Sequence, residues 1–539
     1  MNPLSKNASL EESISKMSNV LKQAKLQVTF SQQKHPLQNC YSVNLSSVEA
    51  PQYIYSNGKG ILSDACKASA LGEYIERLQT NNFFSDFYLP KRKHYPDEVV
   101  FNSKKECLNK ELLNIYDPDA KLSDSDLIDF NSDYTDKIVA LPFIKNSTNQ
   151  SVFIPVNILN NLYVSNGLAT GNTPLEAQVQ ALSEIIERYA KIQIIKNAYA
   201  LPKFPDEIIK SFTKIHKDIT SLRELGYIVE VLDASLGGKF PVTAISLINP
   251  KNSTLFVSFG AYPILEVSLE RTLTELLQGR SLDELDTFET PTFDMSIVSE
   301  SFNLESHFID SNGKMGFGFL SAKKSFEYTP FTYTKNDTLK EYDYLMNILK
   351  NLNKEVYLRE YNYLDFYSCQ IIVPDFSEIY PMDDLIYNNK NVGKFIRNMV
   401  LNFKDYDPQD TFMNIQDLPE SLDMQKYIGV IFENNFTMLE FKAQLHLLMD
   451  EYEEALELLE YSNDEIGKII VEIAHMEEME LDFKEYEDAL YSIFTQQKVI
   501  KALRILDGDE YLIDTTMHTQ YENILNLYDK LEKKKLSII

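Results

Sequence analysis

Tryptophan is absent from this 539-residue sequence, and cysteine occurs only four times. Cys40, Cys66, Cys107 and Cys369 lie far apart without a CxxC pair, which argues against a thiolate zinc site or a disulfide framework. The seven histidines form no HExxH and no tight cluster, and no GxSxG marks a nucleophilic serine. Basic residues are scarce: 52 Lys and Arg face 80 Asp and Glu, for a formal net charge of -28. That balance argues against a broad nucleic-acid face, because phosphate contacts need clustered Lys and Arg. It leaves room for a basic protein partner, including one from an RNA–protein particle. No run of about 18 apolar residues exists, so no membrane-spanning helix is expected. Met1-Asn2-Pro3-Leu4-Ser5-Lys6 leads into a polar, acidic stretch without a signal-peptide apolar core, so a cytoplasmic location is expected.

What is present is ordinary globular material, 44% hydrophobic and 24% charged, enough for a core of normal size. Val152, Phe153, Ile154, Pro155 and Val156 suggest a strand, demoted by Pro155 to an edge or a strand end. Residues 242–247 (Val-Thr-Ala-Ile-Ser-Leu) suggest another. Amphipathic stretches at 67–80, 174–195 and 264–280 suggest helices, so the class is α+β. Near 405–420 a polar, Pro-containing connection, Asp405-Tyr406-Asp407-Pro408-Gln409-Asp410, precedes a helical, Gly- and Pro-poor tail. The expected units are residues 1–415 and 425–539. In the tail Tyr452-Glu453-Glu454-Ala455-Leu456 recurs as Tyr486-Glu487-Asp488-Ala489-Leu490 and, degenerately, as Tyr521-Glu522-Asn523-Ile524-Leu525. The spacing, about 34 residues, is that of a tetratricopeptide-like unit, with Ala455 and Ala489 allowing close helix approach; a plain helical bundle is the alternative. The tail is acidic, which favours a basic protein partner.

The most informative pattern is an internal pseudo-repeat. Ser56-Asn57-Gly58-Lys59-Gly60 precedes Ser69, Glu73, Glu76 and Arg77, and Ser165-Asn166-Gly167 precedes Gln180, Glu184, Glu187 and Arg188. A third run follows Gly260 and keeps Arg271, Glu275 and Gln278 in that register. On a helix each set falls within an arc of about 100°. Each set also reads as an ordinary solvated helix face. If the faces converge, carboxylates about 5 Å apart repel by about 3 kcal/mol at an effective dielectric near 20, so cations must join them. Oxygen ligands without Cys or His point to Mg²⁺, and several Mg²⁺ point to a nucleoside triphosphate such as ATP. Arg188 and Arg271 would meet its phosphates, and the glycine loops would allow close backbone approach. Asn57-Gly58-Lys59-Gly60 lacks the Walker A spacing, and no kinase glycine-rich loop with an HRD motif occurs, so an ATP site here must be built from helix faces.

These three motifs, with Ser165-Asn166-Gly167-Leu168-Ala169-Thr170-Gly171-Asn172-Thr173 ahead of the second, resemble the YcaO family of ATP-dependent enzymes. Residues 6–14 (Lys-Asn-Ala-Ser-Leu-Glu-Glu-Ser-Ile), Ile372-Val373-Pro374, Ile379-Tyr380-Pro381 and the helical tail resemble members described as accessory factors for methylthiolation of ribosomal protein S12. The resemblance implies a YcaO-type mixed α/β ATP-binding domain followed by an all-α tail. It implies Glu73, Glu76, Glu184, Glu187 and Glu275 as Mg²⁺ ligands. Ser69, Arg77, Asn172, Gln180, Arg188 and Arg271 become nucleotide contacts, joined by Lys6 and Ser13, with Glu184, Arg188 and Arg271 catalytic. It implies a homodimer, working with a radical iron–sulfur methylthiotransferase on ribosomal protein S12. A peptide-amide-activating cyclodehydratase or thioamidation enzyme is the alternative, and an ATP-binding adaptor without turnover another. The ending Lys533-Lys534-Lys535-Leu536-Ser537-Ile538-Ile539 lacks the Pro-rich terminus of the azoline-forming branch.

Overall fold

The computed structural model of the chain describes residues 3–48, 50–309 and 312–537, so Met1, Asn2, Ile538 and Ile539 of the two terminal motifs lie outside the described residues. Helix α1 (Leu10–Gln23) opens on a capping box in which Ser9 and Glu12 satisfy each other's backbone groups. Strands β1 (Val28–Gln33), β2 (Tyr41–Ser47) and β3 (Tyr55–Gly60) form an antiparallel meander that feeds helix α2 (Ser63–Gln79). Then follow β4 (Val99–Phe101), β5 (Ile138–Lys145), β6 (Gln150–Pro155) and β7 (Leu168–Gly171), the last feeding helix α3 (Pro174–Lys196). A second meander, β8 (Ile228–Asp233), β9 (Val242–Asn249) and β10 (Thr254–Ala261), feeds helix α4 (Leu265–Leu276). Strands β11 (Tyr357–Tyr361) and β12 (Tyr367–Ile372) complete a six-stranded sheet of order β4-β5-β11-β12-β7, with β6 paired to β5.

The pseudo-repeat is therefore three strand-to-helix units, β3–α2, β7–α3 and β10–α4. The motif glycines do a different job from the expected one. Gly58, Gly60, Gly171 and Gly260 sit within strands, not in loops, and each presses on the helix that follows. A Cβ would stand 2.7 Å from the Ala70 nitrogen at Gly58, 2.7 Å from the Ala177 nitrogen at Gly171 and 2.6 Å from the Thr272 nitrogen at Gly260. Their missing side chains let helix and strand backbones meet, which sets the angle at which each helix face leaves its sheet.

Three other expectations shift. Pro155 is the last residue of an edge strand as expected, but Val156 already belongs to a helical turn. Helix α4 ends at Leu276, because Gly279 at φ +73 turns the chain, so Gln278 falls beyond the third helix face. The Pro408 region is a helix, Pro408–Ile415, with Pro408 in its first turn and Asp407 capping it through the Asp410 N–H; Ile415 is buried.

The tail helices are Met438–Leu448, Tyr452–Leu459, Glu465–Glu478, Phe483–Phe494, Gln496–Leu506 and Thr519–Leu536. Ala455 is buried as close packing requires, whereas Ala489 is exposed. One apolar cluster joins Met17 and Leu21 of α1, Leu71 and Ile75 of α2, and Tyr521, Tyr528 and Leu531 of the last helix. Lys535 extends this junction: it is 1% exposed, donates 2.9 Å to the Leu78 carbonyl at the end of α2, and bonds Asn81. Burial pushes its ammonium down to about 7 from an ordinary 10.5. Between those values the unfolded chain holds more protons than the folded one, so this group's contribution to stability rises with pH across that window. Lys535→Met is expected to abolish the rise. The wild-type thermal midpoint, relative to the variant's, should climb from about pH 7 to about pH 9.5; a constant difference contradicts the assignment.

Candidate functional site

The three helix faces meet. On α2, Arg77 lies 3.6 Å from both Glu73 and Glu76 and donates 2.9 Å to the Asn82 side-chain oxygen. On α3, Arg188 pairs with Glu184 at 3.1 Å, one helical turn apart. Glu184 and Arg188 both act electrostatically on Glu76, so the α2 and α3 faces look at each other. Arg271 of α4 donates 2.5 Å to Gln180 of α3. Glu275, one turn further along α4, pairs with Lys59 of β3, and Lys59 in turn feels Glu187, Glu73 and Glu184. Residues more than two hundred positions apart thus share one charged surface.

Burial beside Glu184 and Glu73 pushes the Glu76 carboxyl up to about 8, against the pull of Arg77 and Arg188. Burial likewise pushes Lys59 down to about 8 despite the carboxylates around it, and Lys191, which donates 2.6 Å to the His307 carbonyl, to about 8. Glu187 accepts 3.0 Å from the Ala261 N–H at the end of β10, tying α3 to the strand that feeds α4.

The N-terminal segment completes the surface. Lys6 pairs with Glu176 at 3.3 Å, and the Asn7 N–H donates 3.0 Å to the same carboxylate. Asn172 donates 3.0 Å to the Ser13 hydroxyl and 3.2 Å to Glu176. Lys6, Ser13 and Asn172 therefore stand together at the start of α3, about two turns before Gln180. Ser69, one turn ahead of Glu73, is exposed.

Three residues escaped sequence reasoning. Glu176 extends the i, i+4 ladder of Gln180, Glu184 and Arg188 by one step at its start, and Lys191 stands one such step beyond Glu187, a signal that was open to view. Lys59 sits in a motif dismissed because it fails as a phosphate loop. The carboxylate arrangement also differs from a bare nest. Lys59, Arg77 and Arg188 are interleaved among the acids, and among the described residues no three acidic, His or Cys side chains gather closely enough to hold a metal ion. The physical reason is the repulsion itself: Glu73, Glu76, Glu184 and Glu275 have each turned to a cation of the chain, and Glu187 to a backbone N–H.

Residues 57–377 match the family described as YcaO cyclodehydratase, ATP- and Mg²⁺-binding. The chain belongs to the YcaO family. It is 42% identical over 479 residues to an uncharacterized protein of Haemophilus influenzae, covering 84% of this chain and 81% of that one. It is 34% identical over 574 aligned positions to the ribosomal protein S12 methylthiotransferase accessory factor YcaO of Escherichia coli K12, covering 98% of each. Among solved structures it is similar to YcaO from Methanopyrus kandleri bound with AMPPCP and Mg²⁺ (TM-score 0.46, 14% identity, 71% of this chain and 94% of that one). It is also similar to a heterocyclase in complex with substrate and cofactor (TM-score 0.46, 17% identity, 69% of this chain and 53% of that one).

ATP and Mg²⁺ are thus the family's ligands, and the donor set here suits them. Every acid on the surface is a carboxylate, the hard oxygen donor that Mg²⁺ takes. Glu73, Glu76 and Glu184 lie within electrostatic reach of one another across the two helices, so oxygen donors of one charge face each other there.

Proposed function

We propose that this YcaO-family chain hydrolyses ATP with Mg²⁺ and assists β-methylthiolation of ribosomal protein S12, beside a radical iron–sulfur methylthiotransferase. The observation that carries the ATP reading is the meeting of three helix faces through Arg77, Arg188, Arg271 and Lys59. The name of the Escherichia coli relative, aligned over 98% of both chains, supports the S12 reading. In this reading Glu73, Glu76, Glu184, Glu187 and Glu275 hold Mg²⁺. Arg77, Arg188, Arg271, Gln180, Asn172, Ser69, Lys6 and Ser13 hold the nucleotide. Mg²⁺ supplies charge neutralisation at the phosphates. Arg188 and Arg271 orient the terminal phosphoryl group, and Glu184 holds Arg188 in place.

The division into residues 1–415 and 425–539, a tetratricopeptide-like use of the tail for a basic protein, a homodimer and a cytoplasmic location belong to the same proposal. No helix among the described residues is long and apolar enough to cross a membrane. Phosphate release measured with and without S12 and the methylthiotransferase tests it: faster release in their joint presence is expected, and indifference to both contradicts it. The family's description as a cyclodehydratase favours a second reading, activation of a peptide amide. Loss of water from a Ser-, Thr- or Cys-containing peptide would select that one.

A further inference from the structure

Lys59 is the cation that the three motifs leave unexplained. It stands in β3 opposite Ser42 of β2, between Gly58 and Gly60. Both glycines are held against α2, where a Cβ on Gly60 would stand 2.8 Å from the Cys66 nitrogen. The strand cannot shift, so the Lys59 stem leaves it from a fixed point and its ammonium meets Glu275 of α4. Glu187, Glu73 and Glu184 lie within its electrostatic reach, with Arg271 as the neighbouring cation. One flexible side chain therefore bridges the third helix face to the other two.

We infer that Lys59 is a tethered counter-ion that competes with a divalent cation for Glu275. The inference rests on the reading of Glu275 as a metal ligand. A compact ammonium on a four-carbon stem and a hard divalent ion both seek carboxylate oxygens, and one carboxylate facing both must release one of them. With Glu187, Glu73 and Glu184 engaged by metal in the same reading, an ammonium released from Glu275 is left with phosphate oxygens as its charged partner. Metal and triphosphate then favour each other: the metal frees Lys59, and the phosphates give it a new partner, a coupling that works equally in both directions. Lys59 thus weakens metal binding without nucleotide and strengthens its dependence on nucleotide.

Mn²⁺ is the probe, titrated into the full-length protein and followed by electron paramagnetic resonance of the free ion, with and without a nonhydrolysable ATP analogue. Without nucleotide, Lys59→Gln is expected to bind Mn²⁺ about tenfold more tightly than wild type. Lys59→Met, which keeps the apolar stem, should do the same. Adding Glu275→Gln to Lys59→Gln should erase the gain, and thermal unfolding should show each variant folded. Wild type should gain more Mn²⁺ affinity from the analogue than Lys59→Gln does. Equal or weaker Mn²⁺ binding by both folded Lys59 variants overturns the inference while leaving the Mg²⁺–ATP reading intact. Absence of Mn²⁺ binding by wild type and variants, even with the analogue, overturns both.

Discussion

Replacing Arg271 by alanine is expected to lower Mg²⁺-dependent ATP turnover by about 10²- to 10³-fold, the usual cost of removing one group that stabilises developing charge. Arg271 has no carboxylate within ion-pair distance among the described residues; its recorded partners are Gln180, at 2.5 Å, and the Tyr262 ring, 5.9 Å from the guanidinium centre. A guanidinium held by a neutral amide and an aromatic face keeps its charge available for phosphate. Arg77 and Arg188, by contrast, are shared with acids on their own helices. Arg271→Lys should recover little, because an ammonium cannot reproduce the two-pronged contact. The fold should survive, since the side chain is only half-buried, so thermal midpoints serve as the control. Adding Glu184→Ala should leave no measurable phosphate release. Turnover that persists in the double variant contradicts the catalytic assignment.

Replacing Gly58 by valine is expected to reduce both stability and turnover without touching any proposed ligand. Its Cβ would collide with the Cys66 carbonyl and stand 2.7 Å from the Ala70 nitrogen, and both are backbone atoms that cannot rotate aside. Overpacking of this kind costs about 1–3 kcal/mol, sometimes more, and the two extra methyls of valine place this site at the upper end. The strain is relieved by moving α2 off β3. That motion separates Glu73, Glu76 and Arg77, carried by α2, from Lys59, carried by β3. A lowered thermal midpoint with lost turnover is the expected result; an unchanged midpoint would show that the strand–helix contact is softer than its geometry implies.

The register of Glu73, Glu184 and Glu275 was legible because a helix repeats its faces every three to four residues, and sequence alone records that spacing. The second helix was read almost to the residue, since Pro174 at its start and a long apolar stripe mark it. Convergence was not legible: nothing local says that Arg271 reaches Gln180, because that depends on how two meanders are stacked. The role of the glycines was misjudged for the same reason. Gly58, Gly171 and Gly260 look like loop residues in sequence, and only the strand pairing shows that they are contact points between sheet and helix. Ala489 was expected at a close helix approach like Ala455, yet Ala455 is buried and Ala489 exposed, because burial depends on which neighbours a helix face meets and a repeated motif does not record that. Lys59 was visible but weighed against the wrong template.

The most direct test of the central claim is a crystal structure of the protein with Mg²⁺ and a nonhydrolysable ATP analogue. The account expects the triphosphate to lie between α2, α3 and α4, with Arg188 and Arg271 on its oxygens and metal ions on glutamates from all three helices. A nucleotide bound elsewhere, with Glu73, Glu184 and Glu275 still paired only to Arg77, Arg188 and Lys59, would contradict it.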